Sequence, residues 1–265
     1  MTAVVCCYFA AFVLELFRFI KQNRLGWIAA SAGFILHTLF LVQQHVLAER
    51  PIGGAQMYFL LSAWGLIVLY FFLFRFYPSA PFGFFLLPAA MIMIQGSLLT
   101  ASVVERTSPP LIAALKMSHA GMFLLATLSA ALCTAAGTIY LLQNYLLQKK
   151  WFNRTQVKLP SLEWSYTICR FTFIAAMILM MIGMLIPVPM KLMLNKTEYT
   201  GGDPLFIGLL CFFFLLFVPF SSDIPARILR FSKLRLVTAW TMITVLFLTF
   251  LFLVAIFSEH AHWRS

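Results

Sequence analysis

The chain has 265 residues, 62% of them hydrophobic and 10% charged, with a mean hydropathy of +0.94. No soluble domain of this length hides that much apolar surface, so the composition excludes an ordinary water-soluble enzyme and makes the lipid bilayer the main solvent. The net charge of +11 would suggest nucleic acid in a soluble protein; here the basic residues cluster in short loops, which points to a topology signal and to anionic headgroups, not to nucleic acid.

In lipid every backbone polar group has to be satisfied internally, and the apolar segments are continuous runs near twenty residues rather than alternating tens. That pattern selects an all-α polytopic membrane fold over a barrel. The first apolar stretch follows no basic leader and carries no small-residue cleavage site, so a retained span is expected and not a signal peptide. Apolar windows fall at about 3–20, 26–48, 56–76, 83–101, 119–147, 165–189, 204–221 and 236–257. The breaks between them carry charge, proline or glycine, as in "ERPIGGAQ", "VERTSPP" and "LNKTEYTGGDP". With no internal repeat and no soluble insert, residues 1–265 read as one domain of about eight transmembrane helices.

Lysine and arginine give the orientation. One set of loops holds Arg18, Lys21, Arg24, Arg75, Lys149, Lys150, Arg154, Lys158, Arg227, Arg230, Lys233 and Arg235; the other holds Arg50, Arg106, Lys116, Lys191, Lys196 and Arg264. Twelve against six puts the first set in the cytoplasm of a plasma (inner) membrane protein, with both termini outside. Arg170 lies inside the sixth window, close enough to its cytoplasmic end to snorkel. Glu15 and Arg18 are three residues apart on one helix face, which suits a local ion pair.

Two kinds of side chain remain to carry chemistry. The five cysteines Cys6, Cys7, Cys133, Cys169 and Cys211 all sit in apolar stretches without C-x-x-C or zinc-site spacing, and read as buried thiols packing as small hydrophobes. The histidines behave differently. His119 starts the fifth window at the outer surface, His45 closes the second there, and His260 and His262 follow the eighth on the same side. His37 lies about 12 Å deeper than His45, near mid-membrane. A single interfacial histidine needs no ligand to explain it, whereas a mid-span ionisable group usually faces a partner or a ligand. No acidic or thiol co-ligand keeps helical spacing with these residues for a protein-held metal. Heme is the alternative, since its iron takes one or two imidazoles and its macrocycle takes the apolar walls that 29 phenylalanines supply. No nucleophile–base pair or phosphate loop marks an independent enzyme.

Three stretches occur in a suggestive order: "YFLLSAWGLIVLYFFLFRFY…FGFFLLPAAMIMI" with Trp64 and Leu87-Pro88; "SHAGMFLLATLSAALCTAAGTIYLLQNYLLQKK"; and "LPSLEWSYTICRFTFIAAMILMMIGML". In that succession they resemble the third and fourth spans, the histidine-led helix and the cytoplasmic Leu-Pro-Ser-Leu-Glu element of the cytochrome c assembly family, the membrane heme-handling proteins of the CcsA/HemX type. The resemblance covers nearly the whole chain. It implies a part in cytochrome c maturation, with heme b held at the outer face by two histidines that flank a tryptophan-rich loop. The matching positions are His119 and, after the loop, His260 or His262. His37 resembles the family's second-span histidine. The loop "LNKTEYTGGDP" keeps Gly201, Gly202, Asp203 and Pro204 but none of the family's tryptophans. Asp203 or Glu259 would then orient an imidazole or meet a heme propionate through a basic neighbour.

The same resemblance implies heme, an apocytochrome c and a membrane partner with an extracellular domain of the ResB/CcsB kind as partners. At most the chain is then one component of a heme ligation (synthetase) system. Two other classes stay open: a HemX-like regulatory or structural subunit linked to heme biosynthesis, and a small-molecule transporter. Pro88 and Pro219 could break helices in a transporter, but no repeat accompanies them.

Overall fold

A computed structural model of the chain describes residues 1–18, 25–44, 54–78, 80–100, 110–149, 160–187 and 232–261. Among these residues the fold is all-helical, with α1 at Thr2–Arg18, α2 at Leu25–Val42, α3 at Gly54–Phe76, α4 at Gly83–Leu99, α5 at Pro110–Gln148, α6 at Leu162–Leu185 and α7 at Lys233–Ala261. Five of them (α2, α3, α5, α6 and α7) are long and apolar enough to cross a membrane. At 17 residues each, α1 and α4 reach only about 25 Å, a little short of a typical hydrocarbon core. The expected span at 204–221 lies outside the described residues, as do His45, Asp203 and His262.

Contacts between helices define two ends of the bundle. At one end Tyr70 of α3 donates to Glu15 of α1 (2.7 Å), Trp164 of α6 donates to Tyr77 just after α3 (2.8 Å), and Lys233 of α7 pairs with Glu163 of α6 (3.0 Å). At the other end Phe59 of α3 packs edge-on against Phe252 of α7, and Gly96 of α4 lies beside both rings. Successive helices α1 to α6 alternate in direction. The exception is the last pair: α7 begins beside the first turn of α6 and runs parallel to it. The first turn of α1 and the last turn of α7 therefore share one end.

The interior divides into two clusters with α5 between them. Ala131, Ala135 and Ile139 of α5 join the α1–α4 cluster around Phe59, Leu66, Tyr70 and Leu86. Ala126, Ala130, Cys133, Ala136 and Tyr140 face the α6–α7 cluster around Phe173, Met177, Met180 and Trp240. The alanines explain how one helix serves both sides, because a methyl lets a neighbour approach closely where a longer side chain would hold it off. On the α6 side the stripe is strictly periodic: His119, Ala126, Cys133 and Tyr140 recur every seventh residue, as do Leu162, Cys169, Ala176 and Gly183. A seven-residue repeat keeps one seam facing its partner along the whole helix pair. Gln143 of α5 donates to the carbonyl of Pro160, and α6 starts on Ser161, whose hydroxyl accepts from the Trp164 amide at 3.2 Å.

Two expectations about boundaries change. His119 does not begin its helix: α5 starts nine residues earlier, at Pro110, so His119 sits about 13 Å in from the first residue. Proline needs no intrahelical partner in a first turn, and the good helix formers of "LIAALK" follow it without a break; Lys116 and Ser118 shorten the apolar window without stopping the helix. Likewise the backbone of α7 stays helical through Ala261, which puts His260 in its last turn and not after it.

Candidate functional site

The site is built around the α6 end that proline leaves open. Along α6 the amide of Ile186 donates to the carbonyl of Ile182 at 3.2 Å. The next donor in that ladder would be residue 187, which is Pro187 and has no N–H, so the Gly183 carbonyl lacks its ordinary helical partner. His119 of α5 supplies one: Nδ1 stands 2.8 Å from the Gly183 oxygen. A carbonyl only accepts, so Nδ1 carries a hydrogen, and in the neutral ring Nε2 holds the lone pair. The ring is half-buried and lies edge-on to Phe123, with centroids 4.8 Å apart.

Glycine is required at position 183 for this approach. A Cβ there would come within 2.9 Å of the Phe123 ring and 3.3 Å of the Met122 Cβ. The absence of a side chain thus brings α5 and α6 close enough for an imidazole to reach a backbone oxygen. The result is a histidine of fixed tautomer, oriented by the arrangement that metal-bound histidines use: one ring nitrogen donates to a carbonyl, and the other is left with its lone pair for a ligand.

α7 runs antiparallel to α5 along the same face. Thr134 and Thr244 are hydrogen-bonded at 3.0 Å, and Thr241 enters the space above Gly137, three residues further along α5 and three residues back along α7. From Thr134 back to His119 is fifteen residues, and fifteen on from Thr244 lead to Glu259. The shared register therefore puts the backbone of residues 259 and 260 level with His119.

His37 is in a different place. Its ring is fully buried in α2, with Nδ1 3.3 Å from the hydroxyl of Tyr8 on α1 and Nε2 without a hydrogen-bond partner. Gly33, one turn earlier, makes room for the Tyr8 ring; a Cβ there would meet that ring at 2.7 Å. An unpaired buried nitrogen is costly and fits a ligating role, yet the enclosing helices give a macrocycle no access unless α1 and α2 part. His37 and His119 are not brought together: each belongs to a different helix cluster.

Two arrangements were missed at the level of sequence. Glu15 is buried between helices and accepts from Tyr70, so a local pairing with Arg18 is not the whole of its environment. Cys133 and Cys169, far apart in the chain, face each other with sulfurs 3.4 Å apart. The seven-residue stripe carried a signal for the second; nothing in the spacing announced the first. Among the described residues no three of histidine, cysteine, aspartate and glutamate converge as a metal cage. No protein-family model matches this chain, and no curated protein or solved structure matches it either.

Proposed function

We propose that this is a multi-pass plasma-membrane heme-handling protein acting in cytochrome c maturation, with eight spans and both termini on the outer face. The observation that carries the reading is His119. Its Nδ1–H is committed to the Gly183 carbonyl, which leaves Nε2 as a neutral imidazole ligand of fixed orientation. The α5–α7 register supports His260 as the second ligand, with His262 its rival for that place. For the count of eight, the support is that α7 starts beside the first turn of α6, so the chain between them has to return from one end of the bundle to the other.

In this reading the chain's own residues bind and orient. His119 and His260 would hold the group from two helices, Asp203 or Glu259 would steady an imidazole or meet a propionate through a basic neighbour, and the aromatic side chains of the bundle would exclude water. Bound heme b would supply the vinyl groups that an apocytochrome's thiols attack; the protein supplies position. An apocytochrome c and a membrane partner with an extracellular domain are the expected company. The loss of the family's tryptophans from "LNKTEYTGGDP" favours a second reading, a HemX-like regulatory or structural subunit linked to heme biosynthesis.

Titration of the detergent-purified protein with heme tests the proposal. A Soret band at one heme per chain is expected. His119→Ala and His260→Ala should each weaken it and shift its maximum, and His262→Ala should matter less. Added imidazole should restore part of the signal by filling the emptied position. A folded wild-type protein that binds no heme would sink this reading, and the regulatory one would lead.

A further inference from the structure

The α5–α6 seam holds a second constellation that heme binding does not use. Cys133 and Cys169 are fully buried, with their sulfurs 3.4 Å apart. They stand fourteen residues from His119 on α5 and fourteen from Gly183 on α6, so the same antiparallel register brings both pairs together. Ala126 and Ala176 occupy the intermediate seven-residue positions and keep the helices close. On the third side, Gly137 leaves room for Thr241 of α7, whose hydroxyl donates to the Val237 carbonyl at 2.8 Å and, like the Cys169 sulfur, borders the space that a Gly137 side chain would fill. Both are buried free thiols, as expected from the sequence; their direct contact, with a hydroxyl beside them, was not expected.

We propose that Cys133 and Cys169 form a redox site, a dithiol that closes to an intramolecular disulfide across α5 and α6 with a lipid-soluble quinone as electron acceptor. Closure brings the sulfurs from 3.4 Å to about 2.05 Å, a shift within reach of side-chain rotation and a small helix adjustment. Two S–H bonds break and one S–S bond forms; both protons and both electrons pass to the quinone, which leaves as the quinol. A quinone is the acceptor class because it dissolves in the bilayer that surrounds these apolar helices; both thiols are fully enclosed, so α5 and α6 have to part locally for it to reach them. Once formed, the bond pins the seam that also holds His119 against Gly183. The inference stands apart from heme binding and is tested on heme-free protein.

The full-length protein, reconstituted in phosphatidylcholine vesicles, is incubated with duroquinone, whose fully substituted ring gives thiols no carbon to add to. It is then denatured, its free thiols are alkylated, and it is digested for mass spectrometry. A peptide linking Cys133 to Cys169 is expected, with one quinol formed per link and reversal by dithiothreitol. In Cys133→Ser and in Cys169→Ser that peptide should fall at least ten-fold. Full alkylation of both cysteines in folded wild-type protein overturns the proposal, as does a linkage of either to Cys6, Cys7 or Cys211. The decisive readout is the wild-type chain, so a serine variant that fails to fold does not blunt the test.

Discussion

At the scale of single residues, the most informative contact is the one that Pro187 makes necessary. A buried carbonyl left unsatisfied costs about 1–3 kcal/mol, and His119 removes that cost for Gly183. The pairing can be tested by a double-mutant cycle. His119→Ala is expected to destabilise the wild-type protein by about 1–2 kcal/mol, as the Gly183 carbonyl loses its donor. In a Pro187→Ala background residue 187 regains an N–H that can donate to that carbonyl, and the same change should then cost less than about 0.5 kcal/mol. Unfolding in detergent with increasing denaturant measures both; equal costs in the two backgrounds would refute the geometry. Half of this was legible in the sequence, because a proline four residues after a glycine in a helix always orphans that glycine's carbonyl. Which donor fills the gap was not legible, since His119 lies 64 residues away.

At the scale of helices, apolar windows and helices proved to be different objects. A window ends where lipid-compatible side chains end; a helix ends where its hydrogen-bond ladder is broken. That is why α5 runs from Pro110 through Lys116 to His119 without interruption, and why His119 belongs to a turn well inside it. Packing between helices adds what no single window contains. The α1–α2 contact, with Tyr8 seated on Gly33 and touching His37, is the clearest case. Removing His37 alone would strand the Tyr8 hydroxyl, so the informative variant changes both: Tyr8→Phe with His37→Leu. Replacing two partners by apolar groups of similar shape is nearly neutral, and this double variant should stay within about 1 kcal/mol of wild type. Its heme retention, or the cytochrome c yield it supports, should fall if the unpartnered Nε2 serves heme. Unchanged retention in a folded double variant would make His37 a structural residue only.

At the scale of the whole molecule, charge and connectivity bear on the same topology by independent routes. Fusions of a reporter at Lys150 and Arg230 are expected to behave as cytoplasmic, and fusions at Glu105 and Ser265 as external, because twelve of the eighteen lysines and arginines around the apolar windows fall in the first set. Opposite results would move His119 and His260 to the cytoplasmic face. The sequence by itself determined the solvent, the all-helical class, most helix positions and the expected orientation. These follow from hydropathy, length and charge, which are sums over neighbouring residues. Only the tertiary structure decided the tautomer of His119, the burial of Glu15 against Tyr70, and the meeting of Cys133 with Cys169. Each depends on the register between helices distant in the chain. That register is set by where glycine and alanine let backbones approach, so it becomes visible only when two helices are read against each other.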